Sequence, residues 1–308
     1  MKITERWLLL LSLVCTLPLL AEIAVEKDGF KGRVKECVQI TYTAAEKFGD
    51  LTKGSVVQKL IYQYDLDGRK LSFIKYDGNG TIIEQNDYKY TGSNLVEYNR
   101  NNKDGREREV NEYNSNNEKI KSMNYSGSEL ISYNQYKYQN GKEIEQTRYA
   151  PDGNIVFKVK YKLDSKYRQI ERIAYNADGS VSGKELYDQN GNMVINESYK
   201  DNAVLDNKLV SEYDTSNRKT KYTWEFISDR QTITEEYAFD SKGLLIKDSL
   251  SLKNQLIRVT SITTYENTTD AKGNIVNQIE TADMAQQSAV GNVNKTEKKI
   301  TESQFQYY

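Results

Sequence analysis

A short motif recurs along this chain about every 12 residues: a tyrosine, three variable residues and a glycine. The glycine-closed copies are Tyr64–Gly68, Tyr76–Gly80, Tyr149–Gly153, Tyr175–Gly179 and Tyr187–Gly191. Asn117 and Asn217 stand in the glycine position of two further copies. Regular self-similarity of this kind indicates a repeat architecture, in which each unit packs against its neighbours.

The residues of the motif predict a tight turn. An Asp or Asn after the tyrosine can accept hydrogen bonds from nearby backbone N–H groups and open a type I turn. The closing position favours a left-handed backbone, which glycine adopts at least cost. The turn-defining glycines are Gly68, Gly80, Gly153, Gly179 and Gly191. The residues left between turns form a strand of ~25 Å. The sequence therefore predicts an antiparallel meander with one strand per repeat.

Tyrosine is a large part of the apolar content of the predicted strands. The chain has 24 Tyr against 7 Phe and 2 Trp, and 37% of its residues are hydrophobic. We expect the motif tyrosines to line one strip of the sheet, either as a modest core or as a surface that binds a ligand or partner. These residues are Tyr64, Tyr76, Tyr88, Tyr149, Tyr161, Tyr175, Tyr187 and Tyr199.

The repeat predicts the fold class and the domain limits. About 16 to 18 strands at ~4.8 Å spacing would make a sheet ~80 Å wide, which must twist and curl. We therefore expect an all-β protein: a single-chain antiparallel meander that forms a long, twisted or curled repeat sheet. Residues 22–60 and 251–308 read as terminal cap strands on either side of the repeat region 61–250.

The N-terminal residues are typical of a signal peptide. A slightly basic start precedes an uncharged apolar run from Trp7 to Ala21, too short to span a bilayer comfortably. We expect cleavage after Ala21, so that 1–21 is removed and the protein is exported to the periplasm, the outer-membrane surface or the medium. Cys15 raises lipidation as an alternative, although Val14 is a poor lipobox residue. The mature chain would keep one thiol, Cys37, which reads as a packed strand residue.

Composition excludes several chemistries. The chain has no histidine, which removes Ser-His-Asp and Cys-His catalysis and the commonest metal ligand. The formal net charge is −1 and the sequence shows no basic patch, so nucleic acid is not an expected partner. Asp65-Leu66-Asp67-Gly68 faintly resembles a calcium loop but fits the turn repeat better. A glycosidase-like carboxylate pair stays open by composition alone. We expect a non-enzyme without cofactor or metal.

One copy of the motif carries a family resemblance. Tyr62-Gln63-Tyr64-Asp65-Leu66-Asp67-Gly68-Arg69-Lys70-Leu71 resembles the signature of YD-repeat (Rhs-type) proteins, and 136–142 is a weaker echo. The chain is also similar to MORN-like repeats and to short exported repeat proteins of Bacteroidota. The resemblance covers roughly residues 55–250. It implies a β-repeat at the cell envelope with a partner- or carbohydrate-binding role, and it transfers no catalytic residue.

These observations leave several functions open. The first is a non-catalytic envelope or surface protein that binds a protein partner through its sheet face. The alternative is a glycan binder that uses exposed tyrosines. A further alternative is an outer-membrane β-barrel, against which the strands look short and their faces carry Lys and Glu. The expected partners are an unknown protein or a cell-envelope glycan, with no integral membrane span after leader cleavage.

Overall fold

The computed structural model of the protein describes residues 24–200, 204–254, 257–288 and 291–308. In these residues one short helix precedes twenty β-strands, a few more than the repeat predicts. The elements are α1 (Ala24–Lys27), β1 (Val34–Lys47), β2 (Asp50–Tyr64), β3 (Lys70–Asp77), β4 (Ile82–Thr91), β5 (Asn94–Asn102), β6 (Gly105–Tyr113), β7 (Lys119–Ser126), β8 (Glu129–Gln139), β9 (Lys142–Tyr149), β10 (Ile155–Leu163), β11 (Gln169–Asn176), β12 (Val181–Tyr187), β13 (Met193–Lys200), β14 (Val204–Tyr213), β15 (Lys219–Phe226), β16 (Gln231–Phe239), β17 (Leu245–Lys253), β18 (Ile257–Thr269), β19 (Ile275–Ser288) and β20 (Gly291–Tyr307). The leader 1–21, with Cys15, lies outside the described residues.

The turns of the motif share one hydrogen-bond pattern. After β2, the Gly68 N–H donates to the Asp65 carbonyl at 3.0 Å, and the Asp65 N–H donates to the Arg69 carbonyl at 3.0 Å. Gly68 has a φ of 76°. Asn117 and Asn217 close equivalent turns with φ of 60° and 59°, because Asn tolerates the left-handed region better than most residues. Each such turn reverses the chain and starts the next strand.

The strands form one closed barrel. Each strand pairs antiparallel with the strands next to it in sequence, which confirms the all-β antiparallel meander. The first and last strands also pair, from Val34–Tyr307 to Thr43–Lys299. The predicted open, curled repeat sheet is therefore wrong. Closure pairs the two edge strands that an open sheet would leave with unsatisfied backbone groups.

The barrel has two ends, which we name by the chain termini. The termini end holds the start of β1, the end of β20 and the turns that follow even-numbered strands. The far end holds the turns that follow odd-numbered strands. Twenty strands at ~4.8 Å spacing give a wall of roughly 95 Å around, whereas side chains fill the interior only of barrels with about eight strands. The barrel therefore encloses a lumen.

One face of the wall is clearly more buried than the other. Cross-strand partners share a face, so Cys37, Tyr62 and Phe73 lie on one side, and Phe305 completes the circuit beside Cys37. This face also holds most of the buried polar side chains: Asn86, Asn111, Ser122, Ser132, Asn134, Glu185, Asn207, Ser211, Thr263 and Ser303. Because side chains on the concave side of a closed wall converge, we assign this face to the lumen. The opposite face is the outer face.

The described residues have a small apolar core, beside the start of β1. It consists of Val25, Phe30, Val34, Cys37 and Tyr64. The ring of Phe30 meets those of Tyr62, Tyr64 and Phe305 edge-on, with centroids 5.3, 6.2 and 5.3 Å away. The segment before β1 thus covers part of the lumen face at the termini end.

Candidate functional site

The lumen face of β7 to β9 is lined by small polar side chains. Ser122 accepts a hydrogen bond from Asn134 Nδ2 at 2.9 Å and lies 2.9 Å from the Tyr136 hydroxyl. Arg148 Nη2 donates to Ser132 Oγ at 2.8 Å. These side chains bond to one another, and Ser122, Ser132 and Asn134 are only 1%, 3% and 8% exposed. This sector of the lumen face is therefore polar.

An ion pair lies on the lumen face of the next strands. Arg172 Nη1 lies 2.8 Å from Glu185 Oε1, and the two side chains are only 12% and 6% exposed. The Tyr187 hydroxyl donates a short hydrogen bond to the other oxygen of Glu185. Nearby Glu143 is also buried. Charges at this depth need partners, because an unpaired one would carry the full cost of leaving water.

A third sector of the lumen face is aromatic. Trp224 and Phe226 of β15 have ring centroids 4.5 Å apart. Trp224 Nε1 donates to Asn207 Oδ1 at 3.2 Å, and Ile233, the cross-strand partner of Trp224, is 4% exposed. The lumen face is therefore polar at β7 to β9 and aromatic at β15.

The outer face carries ion pairs between neighbouring strands. Their N–O distances run from 2.8 to 3.3 Å in Lys89–Glu97, Lys137–Glu145, Lys184–Glu171, Lys208–Glu197 and Lys221–Glu236. Cross-strand partners of opposite charge stabilise an antiparallel ladder by about 0.2–1 kcal/mol for each pair. These pairs lie along the strands and not only at their ends, so the outer face from β4 to β16 lacks an unbroken apolar band.

The eight motif tyrosines do not form one strip. Four lie on the lumen face, namely Tyr64, Tyr88, Tyr161 and Tyr187. Four lie on the outer face, namely Tyr76, Tyr149, Tyr175 and Tyr199. Tyr64 and Tyr161 are buried and the other six are half-buried. The structure therefore gives no support to a row of exposed rings for sugar stacking.

A bulge beside each motif turn explains the split. Between β2 and β3, Gln63 pairs with Ser72 but Tyr64 pairs with Lys70, so Leu71 is an extra residue. One extra residue inverts the alternation of side chains, so tyrosines 12 residues apart face opposite sides. The structural repeat is consequently a pair of strands, about 25 residues long. The sequence signal was the turn itself, whose closing glycine or asparagine is typical of a bulged hairpin.

Turns at the termini end are joined to each other. Arg168 Nη1 donates to the Gln189 carbonyl at 2.9 Å, and Asn192 Nδ2 donates to Asn217 Oδ1 at 3.3 Å. Asn94 Nδ2 reaches Asn117 Oδ1 at 3.0 Å in the same manner. In each pair the second turn follows the first by two strands. The termini end therefore has a rim of linked turns, a feature that single-repeat reasoning missed.

In the turn that resembles a calcium loop, the Asp65 carboxylate accepts hydrogen bonds from the turn itself. Asp65 Oδ1 accepts the backbone N–H groups of Asp67 and Arg69 at 2.9 and 3.0 Å, while Oδ2 accepts Arg69 Nε at 2.6 Å. Within the described residues, no group of three or more metal-ligating side chains comes together. The carboxylate thus fixes the turn.

Comparisons with known proteins add little. No family model matches the sequence, and no curated protein matches it. Among solved structures, a porin-like protein from Bacteroides uniformis ATCC 8492 is similar at 10% identity and a TM-score of 0.36, over 90% of this chain and 99% of that one. MucB in complex with MucA(peri) is similar at 6% identity and a TM-score of 0.12, over 92% and 91% of the chains. Likenesses this low carry no argument about fold or function, and the YD-repeat resemblance stays a sequence-based expectation.

Within the described part of the chain, no helix has the length and apolar character needed to cross a membrane.

Proposed function

We propose that this protein is an exported, non-catalytic β-barrel of the cell envelope that encloses a water-filled lumen. The observation that carries the proposal is the pairing of β1 with β20, which turns the meander into a closed wall. The polar lumen face supports it, because a closed barrel with a polar interior is the architecture of channels in outer membranes. Among the functions left open by the sequence, closure favours the outer-membrane barrel over binding of a protein partner through a sheet face.

The outer face favours a second location for the barrel, in water and not in the membrane. Outer-membrane barrels present an apolar band about 25 Å tall to lipid, and a Lys or Arg at its middle costs about 2–4 kcal/mol. Here Lys158 and Lys184 lie on the outer face, and they form ion pairs with Glu145 and Glu171. β12 has only 7 residues, fewer than the ~9–11 of a membrane-spanning strand. These features favour a barrel that stands in water within the envelope.

Cell fractionation separates the two placements. The full-length chain is expressed with its leader, and envelope membranes are washed at high salt without detergent. Retention in the outer-membrane fraction, together with sugar permeability of vesicles that carry the purified protein, would support the channel. Release into the aqueous fraction would support the second placement. An amine reagent that labels Lys158, Lys184 and Lys208 within intact membranes would also contradict burial of the outer face in lipid.

A further inference from the structure

The seam between β20 and β1 is the junction of the described strands at which no turn connects the two paired strands. Pairing ends at Thr43–Lys299. Beyond this point β1 continues beside β2 as far as Lys47, and β20 runs beside β19 from Gly291. Two ion pairs span the divergence, from Lys298 Nζ to Glu46 Oε2 at 3.0 Å and from Lys53 to Glu302. The seam thus has nine residue pairs, against seven between β10 and β11 and five between β11 and β12, but no covalent connection between its two strands.

The segment 24–33 lies on the lumen face at that same place. On the β2 and β3 side, the Val25 N–H donates to the Gly68 carbonyl at 3.1 Å. Asp28 Oδ1 forms an ion pair with Lys70 Nζ at 2.7 Å, and its Oδ2 accepts a short hydrogen bond from the Tyr64 hydroxyl. Both members of the ion pair are 17% exposed. The segment is thus fixed to the strands on one side of the seam.

The same segment is bound from the other side of the seam by one buried amide. Asn274, in the turn between β18 and β19, is 2% exposed. Its Oδ1 accepts the Lys31 N–H at 2.5 Å, and its Nδ2 donates to the Lys31 carbonyl at 2.8 Å and to the Tyr307 hydroxyl at 2.7 Å. The Asn274 side chain therefore binds the segment as a neighbouring strand would.

An aromatic anchor joins the two sides. Phe30 is 8% exposed and contacts Tyr62 of β2 and Phe305 of β20 at equal centroid distances of 5.3 Å. Its ring therefore bridges strands on both sides of β1. Burial of this ring removes apolar surface from water and so favours the bound position of the segment.

We propose that residues 24–33 form a clasp that holds the barrel closed at the β20–β1 seam, and that release of the clasp opens the wall there. The contacts of Asp28, Phe30 and Asn274 join β3 to the β18–β19 turn across the seam, where no turn connects β20 to β1. An open seam would connect the lumen sideways to the surroundings and expose the rings of Tyr62, Tyr64 and Phe305 that contact Phe30.

Hydrogen exchange of the full mature chain tests this proposal. The variants are Asp28→Asn, which is nearly isosteric, and Phe30→Ala, with Glu26→Gln as a control at an exposed position of the same segment. We expect exchange in 34–43 and 299–307 to rise at least about tenfold in Asp28→Asn and more in Phe30→Ala, since buried partners are lost. Exchange in β10 and β11 stays unchanged, as it does throughout Glu26→Gln.

Two results would overturn the clasp. One is unchanged exchange at the seam in Asp28→Asn. The other is an equal rise at the seam and in β10 and β11, which would mean that the segment stabilises the whole barrel. If Phe30→Ala does not fold, Asp28→Asn alone decides the outcome. An Asn274→Ala variant tests the opposite side of the seam, and the same selective rise is expected there.

Discussion

Single residues in the turns determine where the chain reverses. Gly191 and Asn217 occupy the same position of successive termini-end turns, with φ of 85° and 59°. The Asp that opens each of these turns accepts two backbone N–H groups through one oxygen, as Asp188 and Asp214 do. Both residue types could be predicted from the sequence, because their preferences are local and require no knowledge of distant contacts.

The left-handed turn position yields a graded prediction. Gly191→Ala should lower the free energy of unfolding by about 1–2 kcal/mol, since the Cβ of alanine makes a positive φ unfavourable. Gly191→Asn should cost clearly less, because the chain itself places Asn at the equivalent positions 117 and 217. Urea unfolding of the two variants beside the wild type provides the measurement. Equal losses in the two variants would show that side-chain bulk, and not backbone conformation, limits this position.

The turn aspartates predict an acid sensitivity. The Arg168 backbone N–H and then its guanidinium lower the pKa of Asp164, and the Arg218 backbone N–H lowers that of Asp214. A folded pKa below the unfolded value of about 3.9 stabilises the fold above that pH, and the stabilisation is lost as pH falls through the folded pKa. We expect the double variant Asp164→Asn with Asp214→Asn to unfold at a lower urea concentration than the wild type at pH 7. Its stability should also fall less as the pH is lowered. Urea midpoints between pH 7 and 2.5 test this, and parallel pH curves would contradict it.

At the scale of elements, the strands were predictable but their faces were not. Alternation in a strand such as β10 (Ile155–Leu163) is visible in the sequence, and its turn is marked by Asp164. The bulge that follows adds one residue, and this reverses which side chains face the lumen in the next strand. Because both faces mix tyrosine with charged and amide side chains, hydrophobicity alone cannot reveal the inversion. For the same reason the sequence did not show that the motif tyrosines are divided between the two faces.

Arg172 and Lys184 lie on neighbouring strands but on opposite faces, and this gives a matched pair of variants. Arg172→Met leaves the buried Glu185 without its cation and should cost about 3–5 kcal/mol of unfolding free energy. Lys184→Met breaks the ion pair with Glu171, in which the lysine is 35% exposed, and should cost less than about 1 kcal/mol. Chemical denaturation compares the two variants. A larger loss for Lys184→Met would contradict the assignment of lumen and outer faces.

At the scale of the whole molecule, closure was not visible in the sequence. The residues that meet at the seam, such as Thr41 and Thr301, are of types found throughout the strands. Repeats predict that each strand pairs with its neighbour, but the number of strands, their tilt and the accumulated twist determine whether the last meets the first. The clasp likewise depends on contacts across 243 residues, between Lys31 and Asn274. Such long-range matches leave no local signal.

The most direct test of the closed wall is a disulfide across the seam. The Thr41 and Thr301 hydroxyls lie 3.0 Å apart on paired strands. In a Cys37→Ala background, Thr41→Cys with Thr301→Cys should form an intramolecular disulfide under mild oxidation, seen as a shifted monomer band. Thr41→Cys with Ser198→Cys, on β13, should not. If the first pair stays reduced or links separate chains, β1 and β20 lie at opposite edges of an open sheet, ~90 Å apart, and the barrel is contradicted.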